Sequence, residues 1–155
     1  MNRDNHVKTS ILLSKILLTM IFACAVFLSL IGTRLAKNVI ARNASLLSNN
    51  LQYPVLLILG YGCAIALLWM LYQIWKLLSH LSKGQVFTDE NVHLLRRISV
   101  CCLIGSILTF VISLLFYRPY FAITVAALFM ALLVRIIQNI FQQAIAMKDE
   151  LDLTI

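Results

Sequence analysis

Residues 53 to 78 read YPVLLILGYGCAIALLWMLYQIWKLL, and the chain has no charged side chain between Asn43 and Trp75. A helix crosses the hydrocarbon core of a bilayer in about 20 mostly apolar residues, so this run is long enough to span it. Pro54 falls in the first turn, where a missing N–H is tolerated. Trp69 and Trp75 lie near the far end, as aromatic residues do at a membrane interface. The stretch therefore predicts a transmembrane helix.

Three further apolar runs accompany this one. They cover residues 11–33, 98–117 and 119–137. Hydrophobic residues make up 61% of the 155-residue chain and charged residues only 12%, about half the charged share of a soluble domain. Such a composition leaves too little polar surface to cover a core in water. We predict an all-α, polytopic membrane protein, a four-transmembrane-helix bundle that forms a single membrane domain over residues 1–155.

The first run raises the question of processing. Ala23-Cys24-Ala25 matches the small-residue pattern of a signal-peptide cleavage site. The apolar run continues through Ile31, so cleavage would fall in the middle of the helix. We expect the helix to be retained, with removal or lipid modification at Cys24 as the alternative.

The 13 lysines and arginines predict the orientation, because these residues are enriched in cytoplasmic loops. With the N-terminus inside, nine lie on the inner side, together with all six acidic residues. The four on the outer side are Arg34, Lys37, Arg42 and Arg118. We predict a cell-membrane protein with cytoplasmic N- and C-termini. The basic residues lie at the ends of apolar runs and face lipid headgroups, so we expect no direct binding of nucleic acid.

The segment between the second and third runs carries signals for a helix end and a helix start. Lys83 and Gly84 are typical of a last turn and the glycine that follows it. Thr88 is a good N-cap, and Asp89 and Glu90 suit the first turn, where the helix dipole favours acids. We expect the second helix to extend into the cytoplasm as far as Lys83 and the third to begin at Asp89.

The fourth run continues into an amphipathic tail. Apolar residues recur at helical spacing between Ile136 and Met147, which predicts a cytoplasmic helical tail over about residues 138–150. Exposing a large apolar side chain to water forfeits about 1.5–3 kcal/mol. We therefore expect the second helix, around Leu77 and Leu81, to cover this tail. Helices 2, 3 and 4 would then extend into the cytoplasm as one stub.

The chain lacks the residue patterns of an active site. His6, His80 and His93 are its histidines and lie in predicted polar segments, and no acidic residue lies within a predicted span, which disfavours a proton-coupled carrier. We expect no enzymatic activity, no cofactor and no metal. Small residues four apart, such as Gly60 and Ala64, indicate close helix packing, either within the chain or in a homo-oligomer.

The loop and the tail resemble a known family. Residues 84–91 read GQVFTDEN, followed by LLRRI at 94–98; this is similar to the glycine, Val-Phe, Ser/Thr, Glu-Asn and leucine pattern of the YoaS-like prokaryotic membrane proteins (domain of unknown function twenty-nine seventy-five). The ending ELDLTI at 150–155 is similar to that family's Glu-Asn-Asp-Leu-Thr-Ile ending, with Leu151 in place of asparagine. The resemblance implies four spans in a bacterial or archaeal cell membrane, no assigned enzymatic activity, and often a small helix-turn-helix regulator encoded beside the protein.

Two functional hypotheses follow. The first is a non-enzymatic membrane partner that sequesters or signals to the helix-turn-helix transcriptional regulator through its inner face. The alternative is a small transport, efflux or immunity protein that acts on a membrane-active peptide or lipid, which the basic outer loop at residues 34–52 allows. If the loop only forms a helical hairpin and the tail acids only form a solvated helix end, neither segment docks a partner. The partner-docking candidates are Gly84, Phe87, Thr88, Asp89, Glu90, Asn91, Asp149, Glu150 and Asp152.

Overall fold

The computed structural model describes residues 2–42, 49–84, 88–116 and 118–152, and the regular structure in this part of the chain is α-helical. All the helices are long and apolar enough to cross a membrane. The prediction of an all-α chain with four membrane-spanning helices is therefore confirmed in helix type, length and composition. The helices are α1 (Asn2–Arg42), α2 (Asn49–Ser82), α3 (Asp89–Leu115) and α4 (Tyr120–Asp152).

Each helix is longer than the apolar run that predicted it. α2 has 34 residues and α4 has 33, so at about 1.5 Å per residue each is about 50 Å long. The hydrocarbon core of a bilayer is only about 30 Å thick. α4 contains neither glycine nor proline, the residues at which helices most often kink. The predicted span at 119–137 and the predicted tail therefore belong to one continuous helix.

The helices pack in chain order. Backbone contacts join α1 to α2, α2 to α3 and α3 to α4, and within the described residues they join no other pair. The bundle is therefore open between α1 and α4. α3 lies in the middle and carries many of the buried residues, among them Leu94 at 2% exposure and Ile98 at 4%.

Hydroxyl groups join α3 to α4. The Ser99 hydroxyl donates to the carbonyl oxygen of Ala131 at 3.1 Å. The Thr124 hydroxyl donates to the hydroxyl oxygen of Thr109 at 3.2 Å. Ala131 is 2% exposed, and its small side chain lets the two backbones approach closely. Both bonds fit an antiparallel arrangement, which extrapolates to place the start of α3 opposite about residues 141–144 of α4.

The predicted cover of the α4 tail by α2 is wrong. α4 contacts α3 and, in the part of the chain that the structure describes, has no backbone contact with α2. The reason is that α3 lies between them. Ile137 is consequently 44% exposed and Ile140 57% exposed, whereas Phe141 and Ile145 are half-buried.

A second group of buried residues lies at the end of the bundle opposite the turn between α2 and α3. Ala36, Leu56, Ile112 and Phe116 pack together there, which joins α1, α2 and α3. The connection from α3 to α4 is short. The first turn of α4 is held by a hydrogen bond from the Phe121 N–H to the Arg118 carbonyl oxygen at 2.9 Å.

Candidate functional site

The first predicted docking segment begins where α2 ends. α2 ends at Ser82, one residue before the predicted end at Lys83. The Gly84 N–H donates to the Leu81 carbonyl oxygen at 3.1 Å. Gly84 has φ +79°, a left-handed conformation that glycine adopts without the strain that a Cβ atom adds. Gly84 therefore ends the helix in the way its sequence position predicts.

α3 starts at Asp89, the predicted residue. Thr88 precedes it in an extended conformation, with φ −132° and ψ 146°, and its side chain makes no capping hydrogen bond. The Thr88 carbonyl oxygen instead accepts from the Asn91 N–H at 3.0 Å. The backbone of Thr88, and not its hydroxyl, therefore holds the first turn. Phe87 lies outside the described residues.

Asn91 is buried in the contact between α2 and α3. Its side chain is 0% exposed, and its Oδ1 lies 3.0 Å from His80 Nδ1. An amide oxygen only accepts hydrogen bonds, so the imidazole nitrogen is the donor. Buried polar groups are stable in such a contact when they are hydrogen-bonded. Asn91 therefore holds the two helices together, and a partner cannot touch its side chain in this conformation.

An ion pair lies beside this hydrogen bond. Lys76 Nζ is 2.8 Å from Glu90 Oε1, and His80 Nε2 is 4.0 Å from the same oxygen. Glu90 lies in the polar first turn of α3, ahead of the apolar run. The hydrogen bond from Lys76, and then its positive charge, hold the pKa of the Glu90 carboxyl below its ordinary value. We call Lys76, His80, Glu90 and Asn91 the turn cluster.

The remaining candidates lie in two separate places. Asp89 and Gly84 are exposed at the turn, and Glu150 is exposed near the end of α4. By extrapolation the start of α3 lies opposite about residues 141–144, so Glu150 lies about six to nine residues further along α4, or about 9–14 Å beyond the start of α3. Within the described residues, this arrangement separates Asp89 from Glu150 along the bundle. Asp149 and Asp152 belong to α4, but their side chains lie outside the described part.

Sequence reasoning missed the polar side of α2, which carries Gln73, Lys76 and His80. Gln73 is 2% exposed, and His80 follows it seven residues later, which returns to the same side of a helix. Lys76 supplies the partner of Glu90. The available signal was a polar residue in an otherwise apolar run, repeated at helical spacing.

The part of α4 beyond residue 137, called the α4 arm, carries an uncovered apolar surface. On a helix with 3.6 residues per turn, the surface lies roughly opposite Ala131, the residue that contacts α3. Ile140 is 57% exposed, Met147 65% and Leu151 69%. We call this surface the α4 stripe. It begins at Ile136, just before the arm. Its residues are Ile136, Ile140, Met147 and Leu151.

The fold and these surfaces define a multi-pass helical membrane protein with a cluster of polar contacts where α2 meets α3. Residues 38–155 match the family described as protein of unknown function (DUF2975). The match covers most of the chain, and the chain belongs to this family, which confirms the resemblance seen in the sequence. No curated protein and no solved structure matches the chain.

Proposed function

We propose that this protein is a non-enzymatic membrane partner that holds a small helix-turn-helix transcriptional regulator at the cytoplasmic face. The regulator is the partner that the YoaS-like resemblance implies, and the excess of lysine and arginine on one side supports cytoplasmic termini. The observation that carries the proposal is the α4 stripe, an apolar surface that no other helix of the described chain covers.

The length of α4 supports a position of the arm outside the bilayer. The helix is about 50 Å long, which leaves about 20 Å beyond a hydrocarbon core of about 30 Å. Because α4 has no break between Tyr120 and Asp152, the arm continues along the axis of the span. This continuity supports an arm that projects from the membrane over one that lies along the membrane surface.

The stripe suits a protein partner. Ile140, Met147 and Leu151 are each more than half exposed. Burying one large apolar side chain is worth about 1.5–3 kcal/mol, so a partner that covers all three gains substantially. An apolar stripe on one face of a helix is recognised by a hydrophobic groove. The regulator is proposed to offer such a groove to the arm.

Charge adds selectivity to this contact. The arm ends in Asp149, Glu150 and Asp152, and a DNA-binding regulator carries a basic surface that neutralises phosphates. Complementary charge speeds association and favours the right partner. Docking of that basic surface onto the arm would compete with DNA binding. The regulator would therefore be inactive while it is held at the membrane and active once it is released.

The test is a binding measurement between the regulator and the full protein in lipid nanodiscs. Changing Met147→Gln and Leu151→Gln together keeps a good helix former at each position and removes the apolar contacts. We expect the dissociation constant to rise at least about tenfold. The matched control is Ala146→Gln, an exposed position away from the stripe, with affinity near that of the parent.

A separate variant tests the acidic residues at the end of α4. Asp149→Asn, Glu150→Gln and Asp152→Asn together should weaken binding most at low salt, where charges are least screened. A regulator that bound the Met147→Gln, Leu151→Gln variant as tightly as the parent would refute docking on the stripe. The absence of any complex in nanodiscs would refute the proposed function.

A second function, transport, efflux or immunity against a membrane-active peptide or lipid, has support from another part of the bundle. An apolar groove of about 310 Å³ opens between α1 and the other helices and is lined by Gly32, Gly60 and Tyr61 among others. A Cβ atom at Gly60 would meet nothing within 4 Å, so Gly60→Leu fills the groove without a backbone clash. Under this hypothesis, deletion and Gly60→Leu should both raise sensitivity to cationic peptides or lipophilic drugs. Unchanged sensitivity in both strains would count against it.

A further inference from the structure

A second apolar groove, of about 510 Å³, lies between α2 and α3. Gly62 and Ala66 line it on α2, and Val100 and Ile104 line it on α3. Residues 62 and 66 are one helical turn apart, and their small side chains leave the space that larger ones would fill. Val100 and Ile104 are each 47% exposed. The groove is therefore open sideways, in the direction of the surrounding lipid.

The groove has the length of a lipid chain in one leaflet. Its lining on α3 runs from Arg96 to Ile104, eight residues or about 12 Å along the helix. Half of the hydrocarbon core is about 15 Å thick. A single acyl chain laid along the groove would contact both helices over most of the depth of a leaflet.

Two arginines stand at the polar end of the groove. Arg96 and Arg97 line it and are exposed. Within the described residues, neither guanidinium forms an ion pair with a carboxylate. A guanidinium group can hold phosphate oxygens through two parallel hydrogen bonds. Trp69, 56% exposed on the facing helix, is a residue that favours the headgroup level of a membrane.

We infer that this groove is a binding site for one anionic phospholipid, with an acyl chain between α2 and α3 and the phosphate at Arg96 and Arg97. The open apolar side favours a lipid over a water-soluble anion, and the pair of positive charges favours an anionic headgroup over a neutral one. The occupant lies on the face between α2 and α3, so the site is separate from the α4 stripe and does not depend on the proposed regulator.

The experiment measures lipid retention by native mass spectrometry of the full protein released from detergent. The probes are phosphatidylglycerol and phosphatidylcholine with identical acyl chains. The parent should retain one phosphatidylglycerol in preference to phosphatidylcholine. Arg96→Gln with Arg97→Gln should reduce that preference about tenfold or more. Arg135→Gln removes an exposed arginine of α4, near the same end of the bundle as Arg96 and Arg97. This change should leave the preference unchanged.

A second variant tests the groove itself. Ala66→Leu fills the space and keeps both arginines, so it should reduce retention of both lipids. Val100→Phe fills the same space from the facing helix, at an exposed position, and serves if Ala66→Leu does not fold. Equal loss of preference in Arg135→Gln would show general attraction to basic residues and overturn the site. So would competition by inorganic phosphate alone, or full lipid retention in both filled variants.

Discussion

Replacement of Asn91 by alanine is expected to loosen the contact between α2 and α3. The Asn91 side chain is 0% exposed, and the change removes the oxygen that accepts from His80 Nδ1 at 3.0 Å. The side chain of His80 is itself only 15% exposed, so water cannot fully replace the lost acceptor. Leaving a buried polar group without its partner costs about 1–3 kcal/mol, and we expect the free energy of unfolding to fall by that amount.

A double-mutant cycle isolates the hydrogen bond from the other contacts of the two residues. His80→Ala, Asn91→Ala and the double variant are compared with the parent by unfolding in mixed detergent micelles. The tryptophans of α2, Trp69 and Trp75, report the transition by fluorescence. The coupling energy should be about 0.5–1.5 kcal/mol. Ser82→Ala, exposed at the end of α2, is the control and should change stability by less than about 0.5 kcal/mol.

The reasoning fails if the two single changes add. Additivity within about 0.3–0.5 kcal/mol is the behaviour of independent sites, and it would show that the bond does not join the helices. A neutral Asn91→Ala variant would contradict the burial of that side chain. Either result would show that the turn cluster does not stabilise the contact between α2 and α3.

Three further changes test the packing in the same unfolding assay. Ser99→Ala should cost about 0.6 kcal/mol, the typical value of a hydrogen bond between membrane helices, and an unchanged stability would mean that the bond to α4 contributes nothing. Ala131→Leu should cost about 1–3 kcal/mol by overpacking, whereas Ala126→Leu, at an exposed position of the same helix, should be neutral; equal effects would contradict the α3–α4 contact. Gly84→Ala should cost about 1–2 kcal/mol because of its positive φ, whereas Gly105→Ala, in open space within α3, should be neutral or stabilising by up to about 1 kcal/mol.

The two helix ends at the turn between α2 and α3 were predictable from the sequence because they depend on local chemistry. Gly84 adopts the backbone conformation that ends a helix, and Asp89 and Glu90 occupy the first turn that the helix dipole favours for acids. These effects act within a few residues. The start of α3 was therefore predicted to the residue and the end of α2 to within one.

The faces of the helices were not predictable in the same way. In a soluble helix the polar face marks the outside, but lipid is as apolar as the helix contacts. Leu56 is 8% exposed and Ile58, two residues later, is 72% exposed, although both are aliphatic. The position of α3 between α2 and α4 could not be read from such a pattern, so the cover of the α4 arm was assigned to the wrong helix. The motif residue Asn91 was likewise placed on a docking surface with no sign of its burial.

Polar side chains decide which helices of this protein meet, because apolar contacts do not discriminate strongly in a membrane. The bond between His80 and Asn91 joins α2 to α3, and the bond from Ser99 joins α3 to α4. α3 is common to both, so α2, α3 and α4 form one hydrogen-bonded unit. Among the described helices, α1 has backbone contacts with α2 alone, and there Lys37 Nζ lies 5.9 Å from the centre of the Tyr53 ring. The family match covers residues 38–155 and so contains the whole of this unit with little of α1. Both proposed surfaces, the α4 stripe and the groove between α2 and α3, lie within it.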